Sequence, residues 1–176
     1  MQRHQTKAKS MQRPKLFALG FNKTGTTTIS NMASQWGLRP LHGGEPWFKF
    51  LVEHDVFSDS DDIIRFRELH QQFPNAKFVL NTRSEIDWVR SRFKHRPDGW
   101  ARPITFEKAR EWIETRRNHH ASVIAYFARH DPFSKQFIIV DIDNPNWQRN
   151  ISRLFEQPFL KETIQNVTKA KTWLTP

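Results

Sequence analysis

There is no cysteine in these 176 residues. Disulfide staples, thiolate nucleophiles and cysteine-ligated zinc are therefore excluded. No apolar run approaches the ~20 residues that cross a bilayer. The opening MQRHQTKAKSMQRPK is basic and has no apolar segment, so it is not a secretory signal. Residues 1–13 read as a disordered basic tail, with a transit-like leader as the alternative. No internal repeat and no low-complexity linker breaks the rest, so 14–176 reads as one domain. A soluble, cytoplasmic protein is the expectation. Acidic residues are scarce as well: 18 Asp and Glu stand against 28 Lys and Arg, a net charge of +10. Such a surface attracts nucleic acid, anionic membrane, or small phosphorylated and sulfated ligands, and charge alone does not choose among them.

What the chain does have is bulky apolar material, with 15 Phe and 7 Trp to fill a core. Short apolar runs alternate with amphipathic stretches. KLFALG (15–20), LRPLH (38–42), DVFSDS (55–60), AKFVLNTR (76–83) and KQFIIVDI (135–142) read as strands. Helices are expected over Thr26–Trp36, Asp61–Phe73, Glu85–His95 and Trp147–Glu156. Thr105–His130 reads as one long helix or a broken pair. Between Asp61 and Phe73 the residues Ile63, Ile64, Phe66, Leu69 and Phe73 fall at helical spacing. GGEPWFKFLVEH (43–54) fits neither period. Alternating strands and helices imply parallel βαβ units in a layered α/β domain, with ligands beyond the carboxyl ends of the strands. That geometry gathers Asn22–Thr28, His42, Asp59 and Thr82–Arg83 at one edge.

LFALGFNKTGTTTIS (16–30) is an apolar run, a glycine-punctuated turn, a hydroxyl cluster and a helix start. Gly20 and Gly25 take the glycine places of the phosphate loop G-x-x-x-x-G-K-[ST], but Thr26 stands where the lysine belongs and Lys23 lies inside the loop. Backbone N–H groups at a helix N-terminus still face an anion there, with Lys23, Thr26, Thr27 and Thr28 adding charge and hydroxyls. Farther on, Arg83 closes a strand and Ser91 follows eight residues later in the next helix, a pairing that can grip a second phosphate.

Together these segments resemble the sulfotransferases that use 3′-phosphoadenosine 5′-phosphosulfate (PAPS). Their first motif sets a lysine before T-G-T-T, as NKTGTTT does, and their second sets an arginine at a strand end and a serine eight residues on, as in FPNAKFVLNTRSEIDWVRS. Small bacterial members add a histidine after a short strand, matched by His42, and D-x-P, which becomes Asp59-Ser60-Asp61 without the proline. The resemblance runs over about residues 14–158. It implies a three-layer, P-loop-like α/β domain with a central parallel sheet, PAPS as co-substrate, PAP (3′-phosphoadenosine 5′-phosphate) as product, and no metal. It implies that Asn22, Lys23, Thr24, Gly25, Thr26, Thr27 and Thr28 hold the 5′ end. Lys23 then sits at the bridging oxygen, and Arg83 and Ser91 hold the 3′-phosphate. For the acceptor's base it offers Asp59 first, then His42 and Glu45. Asp59 is free for that task if Asp61 caps the following helix.

Adenine stacking falls to one of Trp47, Phe48, Trp88 or Trp100. The acceptor is a small molecule or glycan, acidic ones included. Segments 43–54 and 93–106 supply both apolar rings and basic residues on its side, Lys94, Arg96 and Arg102 with Arg92 just before them. No specific nucleic-acid motif appears, and nothing in the sequence indicates an oligomeric state. Two other readings remain: a P-loop kinase or NTPase, which needs magnesium ligands, and a non-catalytic basic nucleotide or nucleic-acid binder.

Overall fold

The computed structural model describes residues 14–95 and 105–160. The tail, Arg96, Trp100 and Arg102 lie outside them. Five parallel strands form one sheet: β1 (Leu16–Ala18), β2 (Pro40–His42), β3 (Val56–Ser58), β4 (Lys77–Thr82) and β5 (Phe137–Asp141), in the order β2-β3-β1-β4-β5. The helices are α1 (Thr26–Gln35), α2 (Phe66–Gln72), α3 (Glu85–Lys94), α4 (Phe106–His130) and α5 (Trp147–Leu154).

Strand pleating sends successive side chains to opposite faces, and the apolar residues are dealt out accordingly. Phe17, Phe57, Phe78 and Leu80 face α2 and α4, packing with Phe66, Leu69, Val123 and Phe127. Leu16, Ala18, Val56 and Val79 face α1 and α5, packing with Ile29, Met32 and Ile151. The result is three layers around a sheet whose inner strands are apolar on both sides, the α/β class expected.

The register fixes the site. Phe17 pairs with Phe57 and with Phe78, so β1 and β3 end at about the same height, while β4 runs past Val79, the partner of Ala18, to Thr82. The chain leaving β1 runs toward β2 and the chain leaving β4 runs toward β5, on opposite sides. Their carboxyl ends therefore flank a topological switch point, where α/β sheets open a crevice.

Several boundaries differ from the sequence expectation. Asp61–Arg65 is a 3₁₀ turn that passes into α2, not one amphipathic helix. Three residues per turn bring Ile63, Phe66 and Leu69 inward and leave Ile64 66% exposed. The cap is Ser60, whose Oγ accepts from the Asp62 N–H at 3.3 Å; Asp61 does not serve. The unplaced segment 43–54 holds a 3₁₀ turn at Trp47–Lys49, anchored by Asp62 Oδ2 accepting from the Trp47 N–H at 2.6 Å. β5 starts at Phe137, not Lys135, because Asp131 takes the N–H groups of Lys135, Gln136 and Phe137. α4 is one uninterrupted helix, capped by Thr105. Among the described residues no helix is long and apolar enough to cross a membrane.

Candidate functional site

The β1–α1 loop is held from below by one buried side chain. Asn81, on β4, is fully buried; its Oδ1 accepts from the Gly20 N–H at 2.9 Å, and its Nδ2 donates to Thr24 O at 2.9 Å and Thr24 Oγ1 at 2.8 Å. Thr24 Oγ1 in turn donates to Phe21 O. Gly20 is required here, since a Cβ on it would lie 2.0 Å from the Asn81 carbonyl oxygen. From the side, Trp88 Nε1 donates to Asn22 O at 2.9 Å and Arg92 Nη1 to Asn22 Oδ1 at 3.1 Å. Gly25, at φ 85°, opens α1.

Lys23 sits at φ 66°, a left-handed conformation that a non-glycine residue rarely adopts. Burial pushes its ammonium below the ordinary lysine range, and the Asp59 carboxylate opposes that shift. It makes no hydrogen bond or ion pair among the described residues. Thr26 and Thr28 are buried, while Thr27 is exposed.

Opposite the loop, β2 and β3 end in a second cluster. His42 Nδ1 lies 2.9 Å from Ser58 Oγ, and Nε2 lies 3.3 Å from Thr27 Oγ1 and 3.9 Å from Asp59 Oδ2. Ser58 is fully buried and also meets Ser30 Oγ at 2.9 Å and Thr26 O at 3.4 Å. One imidazole nitrogen thus faces a buried hydroxyl network and the other faces the loop and Asp59. Asp59 is itself left-handed at φ 62°. Glu45 is exposed on the turn after β2.

Arg83 follows the end of β4. Its Nη2 reaches Asp143 Oδ1 at 3.4 Å, a long pair, and its Nε is buried without a partner among the described residues. That guanidinium retains donors for an anion. Beneath it, buried Arg116 from α4 donates to Thr82 Oγ1 and Arg83 O. Ser91 is half-buried on α3, one residue before Arg92. The two sequence segments therefore meet: β4 and α3, which carry Arg83 and Ser91, are also the elements that clamp the loop.

A cleft of about 460 Å³ opens beside these groups, walled by Asp59–Asp61 and Ile63 on one side and α3 and α4 on the other, with Gly20–Asn22 and Gly44 at its edge. Of the expected site residues Asn22 and Asp59 line it; Lys23, Thr24–Thr28, His42, Glu45, Arg83 and Ser91 do not. Trp47 and Trp88 are buried in the core, so neither offers an open face to adenine, and Phe48 is covered by Arg65 at 3.5 Å. Sequence reasoning missed Asn81, Ser58, Arg116 and Asp143. For Asn81 and Ser58 the signal was present: each is a polar residue inside an otherwise apolar strand. Among the described residues no three His, Asp or Glu side chains converge to hold a metal.

The family profile of the sulfotransferase domain matches residues 44–135. The chain belongs to that family. The matched stretch of this sulfotransferase includes Asp59, Asn81, Arg83, Ser91 and both helices of the cleft, and it starts after the loop and His42. No curated protein matches the chain. Family membership makes the sulfotransferase a transferase whose chemistry is sulfuryl transfer.

Proposed function

We propose that this sulfotransferase takes PAPS as donor and moves its sulfuryl group to a hydroxyl or amine of a small-molecule or glycan acceptor. One observation carries the reading: two anion-binding elements, the Gly20–Thr28 turn and the Arg83/Ser91 pair, are built on segments that hydrogen-bond to each other through Asn81, Trp88 and Arg92. The donor has two separate anionic ends, and the residues present suit both. Asn22, Thr24, Gly25, Thr26 and Thr28 shape a turn whose N–H groups and helix dipole favour the 5′-phosphate. Arg83, with a spare buried N–H, and Ser91 suit the 3′-phosphate. A hydrolytic P loop would need an ammonium at position 26, where a buried threonine stands.

Transfer breaks the bond between sulfur and the bridging oxygen and forms one between sulfur and the acceptor atom. The electron pair stays on the departing phosphate oxygen, where Lys23 and the exposed Thr27 hydroxyl donate. The acceptor's proton goes to Asp59, the carboxylate of the cleft, a role commonly worth ~10²–10⁴ in rate. His42, held by Ser58, has its Nε2 3.9 Å from the Asp59 carboxylate. Glu45 lies outside the cleft lining and takes no part in this reading.

Titration calorimetry with PAP and AMP tests the assignment. PAP is expected to bind at least about tenfold tighter than AMP, because the 3′-phosphate adds charge-assisted hydrogen bonds. Lys23→Ala should weaken both nucleotides, and Arg83→Ala should weaken PAP alone. Equal affinity of the wild type for PAP and AMP overturns the reading.

A further inference from the structure

The charged groups of the cleft are unequally matched. Lys108 and Glu111, one turn apart on α4, neutralise each other at 2.8 Å. Arg92 has no such counterpart. Its guanidinium lies 5.1 Å from the ring of Trp88 and 4.1 Å from that of Trp112, and among the described residues its one hydrogen bond goes to a neutral amide, Asn22 Oδ1. Five arginines elsewhere pair with acids: Arg39 with Asp55, Arg65 with Glu68, Arg83 with Asp143, Arg90 with Asp87 and Arg117 with Glu85; Arg67 and Arg116 bond neutral oxygens, but neither lines the cleft. Around Arg92, among the described residues, no carboxylate comes within ion-pair distance. Burial pulls its pKa down, and the nearest opposing charge is Asp59.

A guanidinium carries five N–H donors in a planar fork. Here the two indoles fix the plane, so little rotamer freedom remains to be lost when an anion arrives. Partial desolvation strengthens any charge-assisted bond it then makes. Arg92 and Asp59 line one cleft, which sets an anion-binding group near the carboxylate assigned to the acceptor's proton.

We propose that Arg92 is an anion subsite of the acceptor cleft, selecting acceptors that carry a carboxylate or sulfate ester close to the hydroxyl or amine that is modified. Asp59 and Asp61 act in the opposite sense: they repel an anion placed anywhere else along that wall, so the position of the anionic group, not only its presence, is selected. This rests on the sulfotransfer reading above, in that it takes the cleft to be the acceptor's.

The test uses the full chain, loaded with PAP, and two matched probe pairs: glucuronate against glucose, and glucose 6-sulfate against glucose. Binding is read by calorimetry and by the fluorescence of the flanking tryptophans. Each anionic probe is expected to bind the wild type about tenfold or more tighter than glucose, the usual strength of one charge-assisted pair. Arg92→Met keeps the packed stem but removes the charge and the bond to Asn22; it should erase the preference and weaken PAP by a clearly smaller factor than it weakens the anionic probes. Arg92→Lys keeps a point charge without the fork and should retain a reduced preference. Equal binding of glucose and both anionic probes, no detectable binding of either anionic probe, or a preference that survives Arg92→Met overturns the subsite. So does an equal loss of PAP and probe affinity in Arg92→Met, which would make the residue a support of the nucleotide loop. Failure of the wild type to bind PAP, with the anionic preference intact, would instead remove the donor assignment and leave the subsite standing.

Discussion

Replacing Asn81 by alanine should loosen the nucleotide loop and the whole domain together. The side chain is fully buried and makes three hydrogen bonds to the loop, to the Gly20 N–H, Thr24 O and Thr24 Oγ1. Truncation leaves the Thr24 hydroxyl its bond to Phe21 O but strands a buried donor and a buried acceptor. Each stranded group costs about 1–3 kcal/mol. A water entering the small polar void recovers part of that, so the net loss should be about 2–4 kcal/mol. In a domain of this size each kcal/mol lowers Tm by about 2–4 °C, which gives a fall of roughly 5–15 °C. Asn81→Asp separates shape from chemistry. It keeps the volume and the bond from Gly20, but sets a carboxylate oxygen against the Thr24 carbonyl, and it should be at least as harmful. Differential scanning calorimetry gives the stability, and PAP titration well below the transition gives the loop's competence. An Asn81→Ala protein that melts within about 2 °C of the wild type and binds PAP normally would refute the idea that this residue braces the loop.

Gly20→Ala should be severely destabilising, since its Cβ meets a backbone oxygen that belongs to the sheet, whereas Gly44→Ala, with nothing within 4 Å, should be neutral within about 0.5 kcal/mol; paired thermal melts separate the two. Asp131→Ala should cost about 2–4 kcal/mol, read as a lowered urea midpoint, because three N–H groups at the start of β5 lose their acceptor, and Asp131→Asn should cost less. Stability should also fall on acidification. Burial, with help from Arg116 and His119, holds the His120 imidazole down at about 4, and burial lowers His119 too. The unfolded chain takes up protons near pH 6.5 that the native chain refuses, so native stability is full above that pH and is lost as pH drops toward 4. The His120 contribution is at most about 3 kcal/mol. Urea midpoints between pH 7 and 5 should therefore decline, and less steeply in His120→Gln; an unchanged slope in that variant would rule out the assignment to His120.

The layered architecture was legible because strand and helix periods in this chain are clean: β1 is an apolar run, β4 holds another in Phe78–Leu80, and α1, α3 and α5 fall within two residues of their expected ends. The departures have local causes. Ile64 turned outward because a 3₁₀ phase replaced an α phase, and β5 started late because one aspartate intercepted its first N–H groups. The loop and Arg83 stood out as motifs because the phosphate recognition proposed for them needs glycine, lysine and hydroxyls at fixed offsets. The supporting residues were not. Asn81, Ser58 and Arg116 act across the sheet, 57, 32 and 33 residues from Thr24, Thr26 and Arg83. One-dimensional spacing carries no sign of such pairings. Their only trace was polarity in apolar surroundings.

The pairing of Arg83 with Asp143 would make the anion uptake proposed at that end an exchange of counter-ions, not an addition. A newcomer gains the guanidinium only by the margin through which it outcompetes a carboxylate already tethered there by the fold. Salt weakens the incumbent along with the arrival, so ionic strength should bear more gently on Arg83 than on Lys23, which has no ion pair among the described residues.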